Sequence, residues 1–173
     1  MTEIIFALHG KTDNNDLGIL QGHLDSPLNE EGLRDARKLA SEIAKIDFDI
    51  LISSDLQRAK DCANRIAKET GKRIFIEPLL RERSMGVHQG VKITDIGYNN
   101  LSYNEMVRHL YECDCPCGEN NLDLIDRVKK FLEKVSKIRI NKVEFVINKV
   151  CLKKATLTSQ GPIYEDLFVV EGE

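Results

Sequence analysis

Ile4-Ile5-Phe6-Ala7-Leu8-His9-Gly10-Lys11-Thr12-Asp13-Asn14-Asn15 is the stretch that decides the fold. Ile4–Leu8 is an unbroken apolar run closed by a polar, Gly-containing turn, the pattern of a fully buried strand. His9 and Gly10 fall where that strand ends. In open α/β sheets, ligands bind outside the carboxyl ends of the strands. His9 therefore stands where a nucleophile or general base is useful. A histidine held by structural hydrogen bonds fits the same place, and this stretch alone favours that structural reading. Gly10-Lys11-Thr12 looks like the close of a phosphate-binding P-loop. That motif needs a Gly five positions before Gly10, where this chain has Ile5, so the P-loop reading fails.

Outward from this strand, Leu17–Leu28 carries Gly18, Gly22 and Pro27 and reads as a loop. Asn29 is an N-cap for a helix whose apolar face is Leu33, Ala36, Leu39, Ala40, Ile43 and Ala44. Asp49–Ile52 is a second strand. Asp55 or Ser54 can cap the next helix, which carries Leu56, Ala59, Cys62, Ala63, Ile66 and Ala67 and stops at Gly71. Arg58 then sits in the first turn of a helix leaving the carboxyl end of a strand. Exposed backbone N–H groups and the helix dipole favour an anion there, although a surface arginine is the plainer reading. Arg73–Ile76 is a third strand, ended by Pro78. Strand, helix, strand, helix, strand is the signature of a largely parallel sheet covered on both faces.

Further along, Ser102 and Glu105 form a capping box before a short helix of Tyr103, Met106, Val107, Leu110 and Tyr111. Cys113, Cys115 and Cys117 alternate, with His109 four residues earlier. Zinc sites space paired cysteines by two to four residues, and this loop has one, so it is expected to be thiol-rich and metal-free. Asn120 or Asn121 starts the longest helix, with Leu122, Ile125, Val128, Phe131, Leu132, Val135 and Ile138 at helical spacing to about Arg139. Val143–Ile147 is another strand. The tail reads as a brief element, a turn at Ser159–Pro162 and a last strand near Asp166–Val170.

The 173 residues are expected to form one domain, residues 1–173, with an ample core. A net charge of −3 gives no reason to expect nucleic acid or an anionic membrane as partner. No apolar run approaches membrane-spanning length. Met1-Thr2-Glu3 is not a basic region leading into an apolar core, so no signal peptide is expected. Five cysteines with no mark of secretion point to reduced thiols in the cytoplasm.

Taken in order, Leu8–Asn15 (LHGKTDNN), Leu20–Gly32 (LQGHLDSPLNEEG), Ser53–Ala59 (SSDLQRA) and Leu80–Gly86 (LRERSMG) resemble the histidine phosphatase superfamily, the phosphoglycerate-mutase-like proteins. The resemblance is dense from Ile4 to about Gly90 and thin beyond. It implies an α/β three-layer sandwich, a mostly parallel sheet with helices on both faces, and phosphoryl transfer through a phosphohistidine without a cofactor. It implies His9 as nucleophile, Glu82 as the acid and Arg58 as a phosphate ligand. Asn15, Gln21 and Gly22 match positions lining the family pocket, and a small phosphorylated metabolite is the implied partner. Without the motif, Glu82 would be a surface ion-pair partner of Arg81 or Arg83. The family opens on Arg-His-Gly and closes its pocket with a second His followed by Gly. This chain has Leu8 at the first position and Asn148-Lys149 at the second. Phosphoryl transfer depends on charge placed around the equatorial oxygens, so both replacements imply impaired transfer. Lys11 and Lys149 could restore some charge, though not the fork of an Arg. The alternative is a non-catalytic phosphate-binding or regulatory protein of the same fold.

Overall fold

In the computed structural model the described residues are 3–96, 102, 115–137, 142–146, 151–158 and 161–169. Strand β1 (Glu3–Ala7) is followed by a short helix α1 (Asp13–Asp16), then α2 (Glu30–Ile43), β2 (Ile50–Ser53), α3 (Gln57–Thr70), β3 (Ile74–Ile76), α4 (Asn121–Ser136), β4 (Lys142–Val146), β5 (Cys151–Thr158) and β6 (Gly161–Val169). Short 3-10 turns at Pro78–Leu80, Gly86–His88 and Ile93–Asp95 punctuate the stretch after β3.

The strands form one six-stranded sheet in the order β3-β2-β4-β1-β5-β6. β3, β2, β4 and β1 are mutually parallel, with Phe6 opposite Phe145 and Ile52 opposite the same residue on the other side. β5 runs antiparallel to β1, and β6 antiparallel to β5. The parallel strands therefore all end at one edge, with Ala7 and Ser53 both in register with Val146.

Side-chain alternation, period two along a strand, sorts the core into two layers. Ile5, Ala7 and Leu51 face α2 and α3 with Ala36, Leu39, Ala40, Ile43, Cys62 and Ile66. Ile4 and Ile52 face the other way, onto Leu80 and onto Phe131 and Val135 of α4. The result is an α/β sandwich with helices on both faces of a mostly parallel sheet.

Four expectations need correction. The N-cap of α3 is Leu56, which makes no side-chain cap. Ser54 Oγ instead accepts from the Leu56 amide, and the distant Asp25 carboxylate accepts from the Gln57 amide at 2.6 Å. The apolar face assigned to α4 holds in its second half, where Phe131 and Val135 are buried and Leu132 packs against them, but not in its first. Leu122, Ile125 and Val128 are exposed, at 71, 46 and 41%. The inward stripe is Leu124, Arg127, Phe131 and Val135. In the tail, the brief element is an eight-residue strand. The last strand already starts at Gly161, so Pro162 lies within it, opposite Leu157. Finally, α1 was not expected. It forms because Thr12 and Asn15 make a capping box. The helix expected over residues 103–111, with Glu105 and His109, and Cys113, Asn148 and Lys149, lie outside the described residues.

Candidate active site

His9 follows β1, and its ring is held at both nitrogens. Nδ1 is 2.6 Å from the Gly10 carbonyl and Nε2 is 3.0 Å from Arg58 Nε. Arginine can only donate. Nε2 must therefore carry its lone pair towards Arg58, and Nδ1–H donates to the carbonyl. That is the tautomer an imidazole needs to attack through Nε2.

Arg58 lies in the first turn of α3 with 1% of its surface exposed, so the surface reading of this residue does not hold. It shares the buried face with Cys62 and Ile66, four and eight residues on. Its Nη1 donates to the Leu24 carbonyl at 3.0 Å and its Nη2 to the Gly22 carbonyl at 2.8 Å. Burial lowers its pKa, while the charges of Glu82 and Asp25 act in the opposite direction.

The loop before α2 shapes this corner. Gly22 adopts φ +51°, and a Cβ there would stand 2.7 Å from Gln89 Oε1 and 2.8 Å from the Met85 amide nitrogen. Only glycine lets the loop pass so close to the Glu82 segment. Buried Gln21 accepts from Ser26 Oγ, and its Oε1 lies 3.0 Å from Thr12 Oγ1. Asn15 uses its side-chain oxygen to receive the Thr12 amide and hydroxyl at 3.0 and 2.9 Å, so here it serves the α1 cap. Beneath His9, the Gly10 amide donates to Cys62 Sγ at 3.4 Å. Burial pushes the Cys62 thiol up to about 12, so it stays protonated and unreactive.

Lys11, a possible substitute charge, forms an ion pair with Glu31 at 2.7 Å. Leu8 is buried and apolar, 5% exposed. Arg81, one of two alternative partners for Glu82, pairs bidentately with Asp55 at 2.7 and 2.5 Å. Glu82 itself receives the Arg83 amide at 2.7 Å.

Several residues that sequence reasoning missed hold the Glu82 segment. Arg127 reaches across from α4 to carbonyls of that segment. Arg83 is fully buried and donates to the Glu119 carbonyl at 2.6 Å. His23 Nε2 lies 2.8 Å from the Glu82 carbonyl. Gly86 and Gly118 let two backbones touch, since a Cβ on Gly86 would lie 2.0 Å from the Pro116 carbonyl oxygen. Cys115 is buried there, 4.0 Å from Met85 Sδ. One usable signal existed: Arg127 stands four and eight residues before Phe131 and Val135, on the buried face of α4, as Arg58 does on α3.

Residues 4–153 match the model of the histidine phosphatase superfamily (branch 1). A metal-independent phosphoserine phosphatase of Arabidopsis thaliana is 36% identical over 141 residues, 79% of this chain and 59% of that protein. A probable phosphoglycerate mutase of Serratia proteamaculans is 32% identical over 134 residues, 77% of this chain and 62% of that protein. The chain thus spans about three fifths of the length of these curated relatives. Among solved structures, a mycobacterial glucosyl-3-phosphoglycerate phosphatase superposes with a TM-score of 0.83 at 21% identity, covering 96% of this chain and 98% of that one. A putative α-ribazole-5′-P phosphatase from Escherichia coli gives 0.82 at 18% identity and 99% coverage of both. By sequence match and by fold, this chain belongs to the histidine phosphatase superfamily.

Proposed function

We propose that this chain hydrolyses small phosphate monoesters through a phosphohistidine on His9, at a rate lowered by Leu8 and Asn148. One observation carries the reading: His9 turns its Nε2 lone pair onto a buried arginine. A phosphoryl group arriving here takes the place of the Arg58–His9 hydrogen bond, so that Nε2 faces phosphorus and the freed Arg58 N–H faces an oxygen. Nε2 attacks phosphorus while Arg58 donates to an equatorial oxygen. The ester P–O bond breaks and the leaving oxygen takes the proton of the Glu82 carboxyl. Water then attacks the phosphohistidine, returns a proton to Glu82 and releases phosphate. Gly22 and Gln21 wall the pocket. The names of the relatives, a phosphoserine phosphatase and a phosphoglycerate mutase, support a small phosphorylated metabolite as substrate.

Each missing donor lowers the rate by roughly a hundred- to a thousandfold. Leu8 can neither donate nor carry charge, and Asn148 offers only a neutral donor, about half as strong as a charged one. The buried apolar side chain at position 8 also supports a second reading, a phosphate-binding protein without turnover.

Turnover of p-nitrophenyl phosphate, phosphoserine and phosphoglycerates separates the two. Slow hydrolysis abolished by His9→Ala is expected. Hydrolysis that survives His9→Ala refutes the site. No hydrolysis, with the His9 ring resonances still shifted by millimolar phosphate, establishes the binding reading.

A further inference from the structure

We propose that Arg127 and Glu119 are positioning residues that set the Glu82 carboxyl against the reacting phosphoryl group. This rests on the reading of Glu82 as the proton donor. The segment from Leu79 to Ser84 leaves the sheet edge and, after the 3-10 turn at Pro78–Leu80, lies in no helix or strand. Its position is set largely by side chains reaching in from elsewhere.

Arg127 binds three of its carbonyls. Its Nη1 donates to the carbonyls of Leu79 and Arg81, both at 2.7 Å. Its Nη2 donates to the Glu82 carbonyl at 3.3 Å and to Glu119 Oε2 at 2.9 Å, and its Nε donates to Glu119 Oε1 at 2.7 Å. Glu119 grips the other side of Glu82. Its Oε2 accepts from the Ser84 amide at 2.8 Å, and its own amide donates to the Ser84 carbonyl at 3.0 Å. Together the pair binds backbone groups at 79, 81, 82 and 84, bracketing the residue that must deliver a proton.

The fork geometry of the guanidinium is what allows one side chain to serve three carbonyls and a carboxylate at once. Burial works against the Glu119 carboxylate. The hydrogen bonds from Arg127 and the Ser84 amide outweigh it and hold its pKa below the usual range. The clamp is therefore charged on both sides at neutral pH. A donor displaced by about 1 Å costs on the order of a hundredfold in rate. Loosening this segment should then impair proton delivery while leaving the nucleophile, anchored on β1 and α3, where it is.

Leaving-group dependence reads that difference. A p-nitrophenolate departs without needing a proton, whereas the alkoxide of glycerol phosphate needs one. The full chain is compared with Glu82→Gln, Arg127→Gln, Arg127→Lys and Glu119→Gln, measuring kcat/KM for both esters below each variant's melting temperature. Glu82→Gln should lose roughly a hundredfold or more on glycerol phosphate and under about threefold on p-nitrophenyl phosphate. Arg127→Gln should show the same selective loss, and Glu119→Gln a smaller one. If Arg127→Gln does not fold, Arg127→Lys gives the same ratio, because a point charge cannot reach all four partners. Equal losses on both esters, or none, in the Arg127 and Glu119 variants overturn the assignment while a selective loss in Glu82→Gln leaves the proton donor standing. No selective loss in Glu82→Gln overturns the donor itself and the positioning role with it. Absence of wild-type turnover on either ester does the same.

Discussion

Replacing Gly32 by Ala sets two effects of opposite sign against each other. Gly32 is in the first turn of α2, and by intrinsic helix preference an alanine there should stabilise by about 0.5–1 kcal/mol. The structure forbids that gain. A Cβ on Gly32 would stand 2.0 Å from the Lys11 carbonyl oxygen and 2.7 Å from its amide nitrogen. Gly10 meets the same wall from the other side, with its own Cβ position 2.4 Å from the Gly32 oxygen. These obstacles are backbone atoms, so no rotamer change relieves them. Non-bonded carbons and oxygens need at least 3 Å, so the two backbones must part by about 1 Å.

Overpacking of this kind costs roughly 1–3 kcal/mol, and the rigid obstacle argues for the upper end. With the preference gain subtracted, a net loss of about 2 kcal/mol remains, a fall of roughly 4–8 °C in Tm for a chain of this size. Lys11 lies two residues beyond His9, so the displacement carries to His9, the proposed nucleophile. Turnover should fall about ten- to a hundredfold. Calorimetry and p-nitrophenyl phosphate turnover on Gly32→Ala measure both. Gly71→Ala is the control. Its φ of +70° makes alanine strained, but nothing stands within 4 Å of the new Cβ. Its Tm should drop with turnover unchanged. A Gly32→Ala variant that melts no lower than wild type and keeps its turnover would refute the close-approach argument.

Arg58→Ala removes donors from the Gly22 and Leu24 carbonyls, so it should lower stability by about 2–5 kcal/mol in denaturant titration and turnover by roughly a hundred- to a thousandfold. Leu8→Arg with Asn148→His should raise turnover more than either single change, because both donors would act on one transition state. Four-variant kinetics with p-nitrophenyl phosphate decide it, and a double variant no faster than wild type counts against the impaired-pocket reading. Burial lowers the pKa of His23, despite the neighbouring Glu82 carbonyl and Glu119 charge. Below its unfolded value of 6.5 the unfolded chain therefore binds more protons, and stability should rise with pH up to about that value and fall as pH drops through the folded pKa. Stability measured from pH 5 to 8 in wild type and His23→Gln checks this, and identical profiles would exclude His23 as a source.

The strands and helices near the N-terminus were legible because their signals are local. The apolar run of β1, the Asn29 cap of α2 and the Gly71 stop of α3 each depend on neighbours within a few residues. His9 and Arg58 could be placed at one sheet edge because His9 closes a strand and Arg58 opens the helix that leaves one. What escaped was made by contacts distant in sequence. The α3 N-terminus is capped by Asp25, thirty-two residues before Gln57. The Gly10–Gly32 contact shows nothing in the sequence beyond two glycines. The apolar residues of α4 permitted two stripes a short rotation apart. The inward one includes the polar Arg127, which apolar spacing does not pick out. The Glu82 motif could be matched, but not the side chains from α4 and the Cys115 loop that hold it.

The proposed reaction stands on His9 accepting a phosphoryl group, which rapid alkaline quench of the full chain with a 32P-labelled monoester, followed by peptide mapping, detects. An alkali-stable, acid-labile label is expected on the peptide carrying His9, absent in His9→Asn and much reduced in Arg58→Ala. Turnover with no label on that peptide, or label that persists when His9 is replaced, would contradict it.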